Sequence, residues 1–393
     1  MTTRPAEHIP FVNTEKDCQL LSQHFSDSTV ARLSFENYQK VKTQLPQNMG
    51  VWIDPGFDVL DRIADGAEPD TGQVALFGSA QSIKSVASGD VSNKRVVEEM
   101  VRSVLNKVKA ERSAWISIPQ LALVEDSARN KINRLLAQTT RTWAAEQGYR
   151  GKLILPIVVT HQRQINKKTD RDPKVKQAKA CYELAGANGF WLVESSLYDQ
   201  DGAGTFDTVR FPALVRFHQE INAVIPTEAI SIGGPYWGLN LVLWAKGLIR
   251  FPAIGLGNSF QYHIPGGHLQ QGSARVALGP LKRLAVMSSE LKQWLTDSLA
   301  VVPTGDAAHA TFQQILRNFD RLQSQESRTQ IARFYKDWFD RIAATPAPGR
   351  ALALYQDFSS AYVLGKGLPE LPATEKTARR PERVAQQLMM TCL

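Results

Sequence analysis

Two acidic residues stand where apolar runs stop. Asp54 closes VWID ahead of Pro55 and Gly56, and Glu194 closes FWLVE ahead of Ser195 and Ser196. A carboxylate placed there can act as a general acid or base, hold a substrate hydroxyl or bind a cation. Two of them from separate strands suit glycosidic-bond chemistry, in which carboxylates flank an oxocarbenium-like state. The structural alternatives are that Asp54 caps the short helix after it and that Glu194 pairs with Arg32 on an earlier strand.

A third candidate catalytic residue, His161, opens the loop HQRQINKKTDRDPKVK after the run LILPIVVT. Gln162 and Asn166 in this loop offer hydrogen-bonding groups for orienting a substrate. Arg163, Lys167, Lys168 and Lys174 supply cations that can grip the phosphates of a nucleic acid, the alternative being a solvated basic loop. Gln120, after WISIP, carries an amide whose paired donor and acceptor can read a base or sugar edge.

Glycines mark two further loops. Gly233 and Gly234 in SIGGPYWG, and Gly255, Gly257 and Asn258 in AIGLGNSF, permit close backbone approach to an anion before a helix begins. Tyr236 and Tyr262 beside them can stack on a base, or serve as packing lids. No HxH or HExxH spacing and no CxxC pair is present, so neither a metal nor another cofactor is expected, and the GxSxG elbow of a Ser hydrolase is absent.

These residues need elements to hold them. Eight short runs rich in β-branched residues are read as strands: Val30 to Ser34, Val51 to Asp54, Gln73 to Gly78, Ala114 to Ile118, Leu153 to Thr160, Phe190 to Ser195, Ala229 to Gly233 and Ala253 to Gly257. Several are apolar on consecutive positions, as expected of strands buried on both faces. Helix-patterned segments lie between them, at Ser88 to Ala110, Asp126 to Gln147, Pro173 to Ala187, Phe211 to Ile225 and Leu239 to Leu248. The alternation predicts a parallel sheet of βα units, closed as a (β/α)8 TIM-type barrel over residues 1–290, with an open doubly wound sheet as the alternative. In a barrel, residues following the strands converge on one mouth, and the loops after strands seven and eight commonly bind phosphate.

After Gly257 the pattern becomes helical. Residues 291–368 read as a C-terminal helical extension that packs on the barrel or offers a face to a protein partner, and 369–393 as a loosely ordered tail. The 393 residues carry a formal charge of +8, a bias toward anionic partners such as a nucleic acid or a phosphorylated small molecule. Three scattered cysteines give no disulfide framework, and the N-terminus lacks a signal-peptide pattern, so a cytoplasmic setting is expected. The most apolar stretch, Ala229 to Phe260, contains Gly233, Gly234, Pro235, Lys246 and Arg250 and is not read as crossing a membrane.

Two of these motifs resemble parts of the tRNA-guanine transglycosylase family, βα barrels that exchange a base at a ribosyl carbon. Asp54 in DPGFDVL is similar to the Asp of that family's DSGGFQ-like turn, and Gly233 with Gly234 in SIGGPYWG to its Gly-Gly loop. The family's cysteine-rich zinc motif is absent here, and its nucleophilic Asp has no assigned counterpart. The resemblance implies a related barrel with a base or nucleotide pocket. The function expected from the sequence is therefore a barrel enzyme, a transferase or hydrolase, acting on a nucleotide or nucleic-acid substrate at a glycosidic bond. A non-catalytic nucleic-acid- or partner-binding subunit of a multi-protein assembly is the alternative.

Overall fold

Eight parallel strands close on themselves in the order of the chain, β1 to β8, and the last pairs with the first. The computed structural model describes residues 8–64, 66–90, 92, 94–109, 111, 113–123, 126–159, 165–194, 210–256 and 274–393. The strands are β1 (Ile9–Phe11), β2 (Val30–Ser34), β3 (Gly50–Asp54), β4 (Trp115–Ser117), β5 (Lys152–Val159), β6 (Gly189–Glu194), β7 (Ile230–Gly233) and β8 (Phe251–Gly255). Closure removes every sheet edge and buries both faces of the strands, which is why LILPIVV and GFWLVE are apolar on consecutive positions. The fold is thus the (β/α)8 barrel, and the open sheet is excluded.

The number of strands agrees with the sequence reading through two errors of opposite sign. Gln73 to Gly78 is not a strand but most of a helix. Asp70 accepts the Gln73 N–H and Gln73 returns a bond to the Asp70 N–H, and Gly78, at φ +109°, ends the segment. The first strand, Ile9–Phe11, is three residues long and contains Pro10, too short to show a period.

Helices α1 (Glu15–His24) and α2 (Phe35–Val41) follow the first two strands, and α3 (Leu60–Ala64), α4 (Thr71–Phe77), α5 (Ala80–Ala87) and α6 (Lys94–Lys109) fill the long connection from β3 to β4. Next come α7 (Ser127–Glu146), α8 (Lys168–Ala185), α9 (Arg210–Asn222) and α10 (Leu239–Ala245), one after each of β4 to β7. In α7 the Asp126 carboxylate accepts the N–H groups of Ala128 and Arg129, and Gly148, at φ +56°, ends the helix, as its sequence requires.

Beyond β8 the chain is not helical throughout. An antiparallel hairpin, β9 (Arg275–Leu278) with β10 (Arg283–Val286), comes first. It is followed by α11 (Ser289–Val301), α12 (Ala307–Arg317), α13 (Phe319–Arg321), α14 (Ser327–Ala343), α15 (Arg350–Lys366) and α16 (Arg383–Cys392). Helix α14 completes the barrel's outer ring. It packs on α1, and its Phe339 stacks on Trp244 of α10 and meets His8 below β1 edge-on. The hairpin, α11 and α12 enclose a second, smaller core around Leu278, Leu291, Trp294 and Phe312.

The segment 369–393, read as a loose tail, is built into the molecule. Helix α16 buries Val384, Ala385 and Leu388 and packs on α15, α10 and α9. At Gly365 on α15 an added Cβ would lie 2.6 Å from the Glu382 backbone nitrogen, so only glycine allows that approach. Glu375 accepts the Val286 N–H and forms a fully buried ion pair with Arg283, tying this segment to the hairpin. No helix among the described residues is long and apolar enough to cross a membrane.

Candidate active site at the barrel mouth

Beneath the C-terminal ends of the strands, aromatic side chains fill the barrel. Phe11 of β1, Trp52 of β3 and Trp191 of β6 meet edge to face, with ring centroids 5.4 to 5.8 Å apart. The Trp52 indole N–H donates to Ser117 Oγ on β4 at 2.9 Å. Into this cluster projects Arg32 of β2, its guanidinium carbon 4.8 Å from the Phe11 ring and 4.9 Å from the Trp191 ring. A cation desolvated between two π faces is attracted by both.

Asp54, the last residue of β3, forms an ion pair with Arg32 through Oδ2, and its Oδ1 accepts the Gly56 N–H at 2.9 Å. Both side chains of the pair are 4 % exposed. The β2–β3 register sets Arg32 opposite Trp52 and Ser34 opposite Asp54, so the guanidinium reaches one step toward the mouth to meet the carboxylate. The sequence offered an Arg32–Glu194 pair as one alternative; among the described residues the carboxylate that meets Arg32 is Asp54. An arginine in the middle of an apolar strand was the visible signal of this pair; which acid faces it is decided by strand register.

Glu194 ends β6 and is buried. Strand β7 stops at Gly233, and the next rung of the ladder is supplied by a side chain: the Tyr236 hydroxyl accepts the Glu194 N–H at 2.8 Å. Burial, with Glu194 nearby, holds the Tyr236 phenol well above its usual range, so it stays protonated. Asp54 and Glu194 therefore both close barrel strands at the same end of the molecule, each with its backbone or carboxylate fixed by a hydrogen bond.

The glycine loop after β7 is engaged in packing. The bare α-carbon of Gly233 faces Ile249 and the buried ring of His218 on α9. The Gly234 N–H donates to the Leu192 carbonyl, and its own carbonyl accepts the Trp191 indole N–H at 2.7 Å. Gly238, at φ +69°, precedes α10, and a Cβ there would lie 2.8 Å from Leu388 of α16. Tyr236 is buried, and Trp237 stacks on Phe334 of α14, so neither presents a face for a base. The phosphate cradle expected at Gly233 and Gly234 is thus occupied by the protein's own groups. Gly255 ends β8 in register with Phe11.

Gln120 is likewise committed. Its amide donates to the carbonyls of Pro119 and Asn133, while the Asn133 side chain clasps Leu121 through both its N–H and its carbonyl, fixing the β4–α7 loop to α7. Lys174 is also not a loop residue: α8 starts at Lys168, five positions before the expected Pro173, and the buried Lys174 ammonium donates to the Asp170 carbonyl. Arg171 anchors the same turn, with a two-pronged bond to Glu220 and a third to the Ile165 carbonyl. Lys167 and Lys168 are exposed, and Asn166 Oδ1 is buried with no hydrogen-bond partner among the described residues. His161, Gln162, Arg163, Gly257, Asn258 and Tyr262 lie outside the described residues.

Among the described residues no three His, Cys, Asp or Glu converge as a metal site requires. A shallow depression of about 450 Å³, lined by Asn48, Gly50, Glu111 and Ala114, lies at the opposite end of the barrel, where the strands begin. No known protein family matches the sequence, and no curated protein matches it.

Proposed function

We propose that this barrel is an enzyme acting on a nucleotide or nucleic-acid substrate at the C-terminal mouth, with chemistry at the glycosidic bond. The observation that carries the reading is the pair of buried carboxylates, Asp54 and Glu194, closing two separate strands at the mouth of a closed barrel. Strand-end positions at that face are where enzymes of this fold place their reacting groups. Positive charge developing on a sugar ring is stabilised by carboxylates held in place beforehand in a site of low polarity. Asp54 suits that electrostatic role: Arg32 and Gly56 hold it as an acceptor. Glu194 is then the residue for proton transfer, with His161, Gln162 and Asn166 orienting the substrate from the β5 loop. The exposed Lys167 and Lys168 favour an anionic substrate, since they stand at the start of α8, where the helix dipole alone disfavours cations. A pocket for a base is also what the resemblance to tRNA-guanine transglycosylases implies.

The test is release or exchange of a base from nucleosides, nucleotides and oligonucleotides by the purified protein, with Glu194→Gln as the inactive control. Conversion of none of these by the wild type, alongside retained oligonucleotide binding, would replace the enzyme by a binding subunit.

A further inference from the structure

The net charge of the chain has an address. From Asp126, the cap of α7, to Ala185, the end of α8, the sequence holds thirteen Lys or Arg against five Asp or Glu, a net +8, which equals the formal charge of the whole protein. The remainder of the molecule is neutral in sum. This one α–β–α unit, α7 with β5 and α8, packs its two helices side by side on the outside of the barrel.

Ion pairs are sparse among the exposed cations of that surface. On the preceding helix, α6, Lys94 pairs with Glu98, Arg95 with Glu99, and Arg102 with Glu146 at the end of α7, while Lys107 and Lys109 donate to the carbonyls of Ala75, Leu76 and Gln147. On α7, in contrast, one exposed stripe reads Ser127, Lys131, Arg134, Gln138, Arg141, at alternating spacings of four and three, with no acid in it. Its three cations span ten residues, about 15 Å of helix. Alongside it, α8 exposes Lys168 and Lys176, with the half-buried Asp172 midway between them on the same face. No carboxylate lies within ion-pairing distance of these five among the described residues. Lys179 is the exception on this face, paired with Glu183.

Arg134 is held in place by an amide rather than an acid. Its Nε donates to Gln177 Oε1 of α8 at 3.0 Å, and the buried Gln177 amide is itself fixed by the Asn130 carbonyl at 2.9 Å and by Cys181 Sγ at 3.2 Å. The guanidinium is therefore oriented in the α7–α8 seam, with no carboxylate in ion-pairing range among the described residues. Surfaces serving solubility alone usually intersperse both signs, whereas the exposed α7 stripe carries only one.

We infer that the α7–α8 face is a nucleic-acid interface that takes the phosphate backbone of a polynucleotide and, through Lys168 at its upper end, delivers it to the barrel mouth. A row of cations without acids, as on α7, is the footprint of backbone binding, which is sequence-independent and salt-sensitive. This inference rests on the mouth being the reactive end, and it extends that reading from a nucleotide to a polymer.

The experiment is fluorescence anisotropy of labelled single-stranded DNA and RNA, about 20 nucleotides long, across a salt series, with the full chain and the triple variant Lys131→Glu, Arg141→Glu, Lys176→Glu. All three sites are exposed, and a thermal melt verifies folding. The wild type is expected to bind with an affinity that falls steeply with salt. The variant should lose about tenfold or more at moderate salt, and the slope of log affinity against log salt should become shallower by about 2. Unchanged affinity in the folded variant overturns the inference, as does stronger binding to vesicles containing phosphatidylserine than to the oligonucleotides. Base release from a mononucleoside separates this from the mouth: it should persist in the triple variant, and its absence in a wild type that binds oligonucleotides removes the mouth reading alone.

Discussion

Replacing Asp54 by Asn tests whether the charge at the mouth is held as the structure shows it. The change keeps size and removes one unit of charge from a pair in which both side chains are 4 % exposed. Arg32 stays buried between Phe11 and Trp191 without that counter-charge, and an amide that offers its oxygen to Arg32 turns its NH2 toward the Gly56 N–H, donor against donor. Removing one partner of a buried pair costs roughly 3 to 5 kcal/mol, and the hydrogen bond Asn can still accept places this case near about 3 kcal/mol. Unfolding entropy near 2 cal/mol/K per residue over 393 residues converts that to a fall in Tm of about 4 °C. The assay is thermal and urea unfolding of Asp54→Asn, of Arg32→Met and of the double variant. Met packs well against aromatic rings, so the double variant should recover at least about 2 kcal/mol relative to Asp54→Asn. A single variant that melts with the wild type, or a double variant no better than the single, refutes the ion pair as the anchor of this site.

Two further outcomes follow from burial. His8 and His218 are held neutral by desolvation, His8 down to about 4 and His218 to about 3, and neither ring nitrogen of His218 has a hydrogen-bond partner among the described residues. The unfolded chain takes up a proton on each below about pH 6.5 that the folded state refuses, so their stabilising contribution is complete above that pH and is lost as pH falls toward 4 and 3. Each ring accounts for about 2 kcal/mol between pH 8 and pH 5. His218→Leu should therefore flatten the acid limb of stability against pH by about 2 kcal/mol, read from urea unfolding across that range; an unaltered limb contradicts it. Deleting residues 383–393 should lower Tm by about 5 °C or more, because Gly238 loses the cover of Leu388 and α15 and α10 lose the face α16 packs on; a melt identical to that of the full chain would return this segment to the status of a tail.

What the sequence discloses depends on where the information lies. Strand β5 and helix α7 are legible because their signals are local: an apolar run in one, an Asp cap and a Gly stop in the other. The helix at Thr71–Phe77 is misread because VALF is apolar over a short window, and its capping pair Asp70 and Gln73 carries the better signal. Strand β1 is missed because three residues show no period. The positions of Asp54 and Glu194 at strand ends are readable, whereas the assignment of Arg32 to Asp54 depends on the β2–β3 register, a property of the closed sheet. Gly233, Gly234 and Tyr236 look available in the sequence and are consumed in the fold, by His218, Leu192, Trp191 and the Glu194 backbone. The tail was polar enough to read as loose, yet Leu388 and Glu375 give it a hydrophobic and an ionic anchor that only tertiary contacts reveal.

Whether Glu194 moves the proton at a reactive mouth is measured by the rate of base release by Glu194→Gln relative to wild type on the same nucleoside or oligonucleotide. The substitution keeps shape and the Tyr236 bond to the backbone, so Tm is expected to stay within about 2 °C. A rate at least about 100-fold lower is expected, in the range of a lost general acid or base. An equal rate in a variant that melts with the wild type would contradict it.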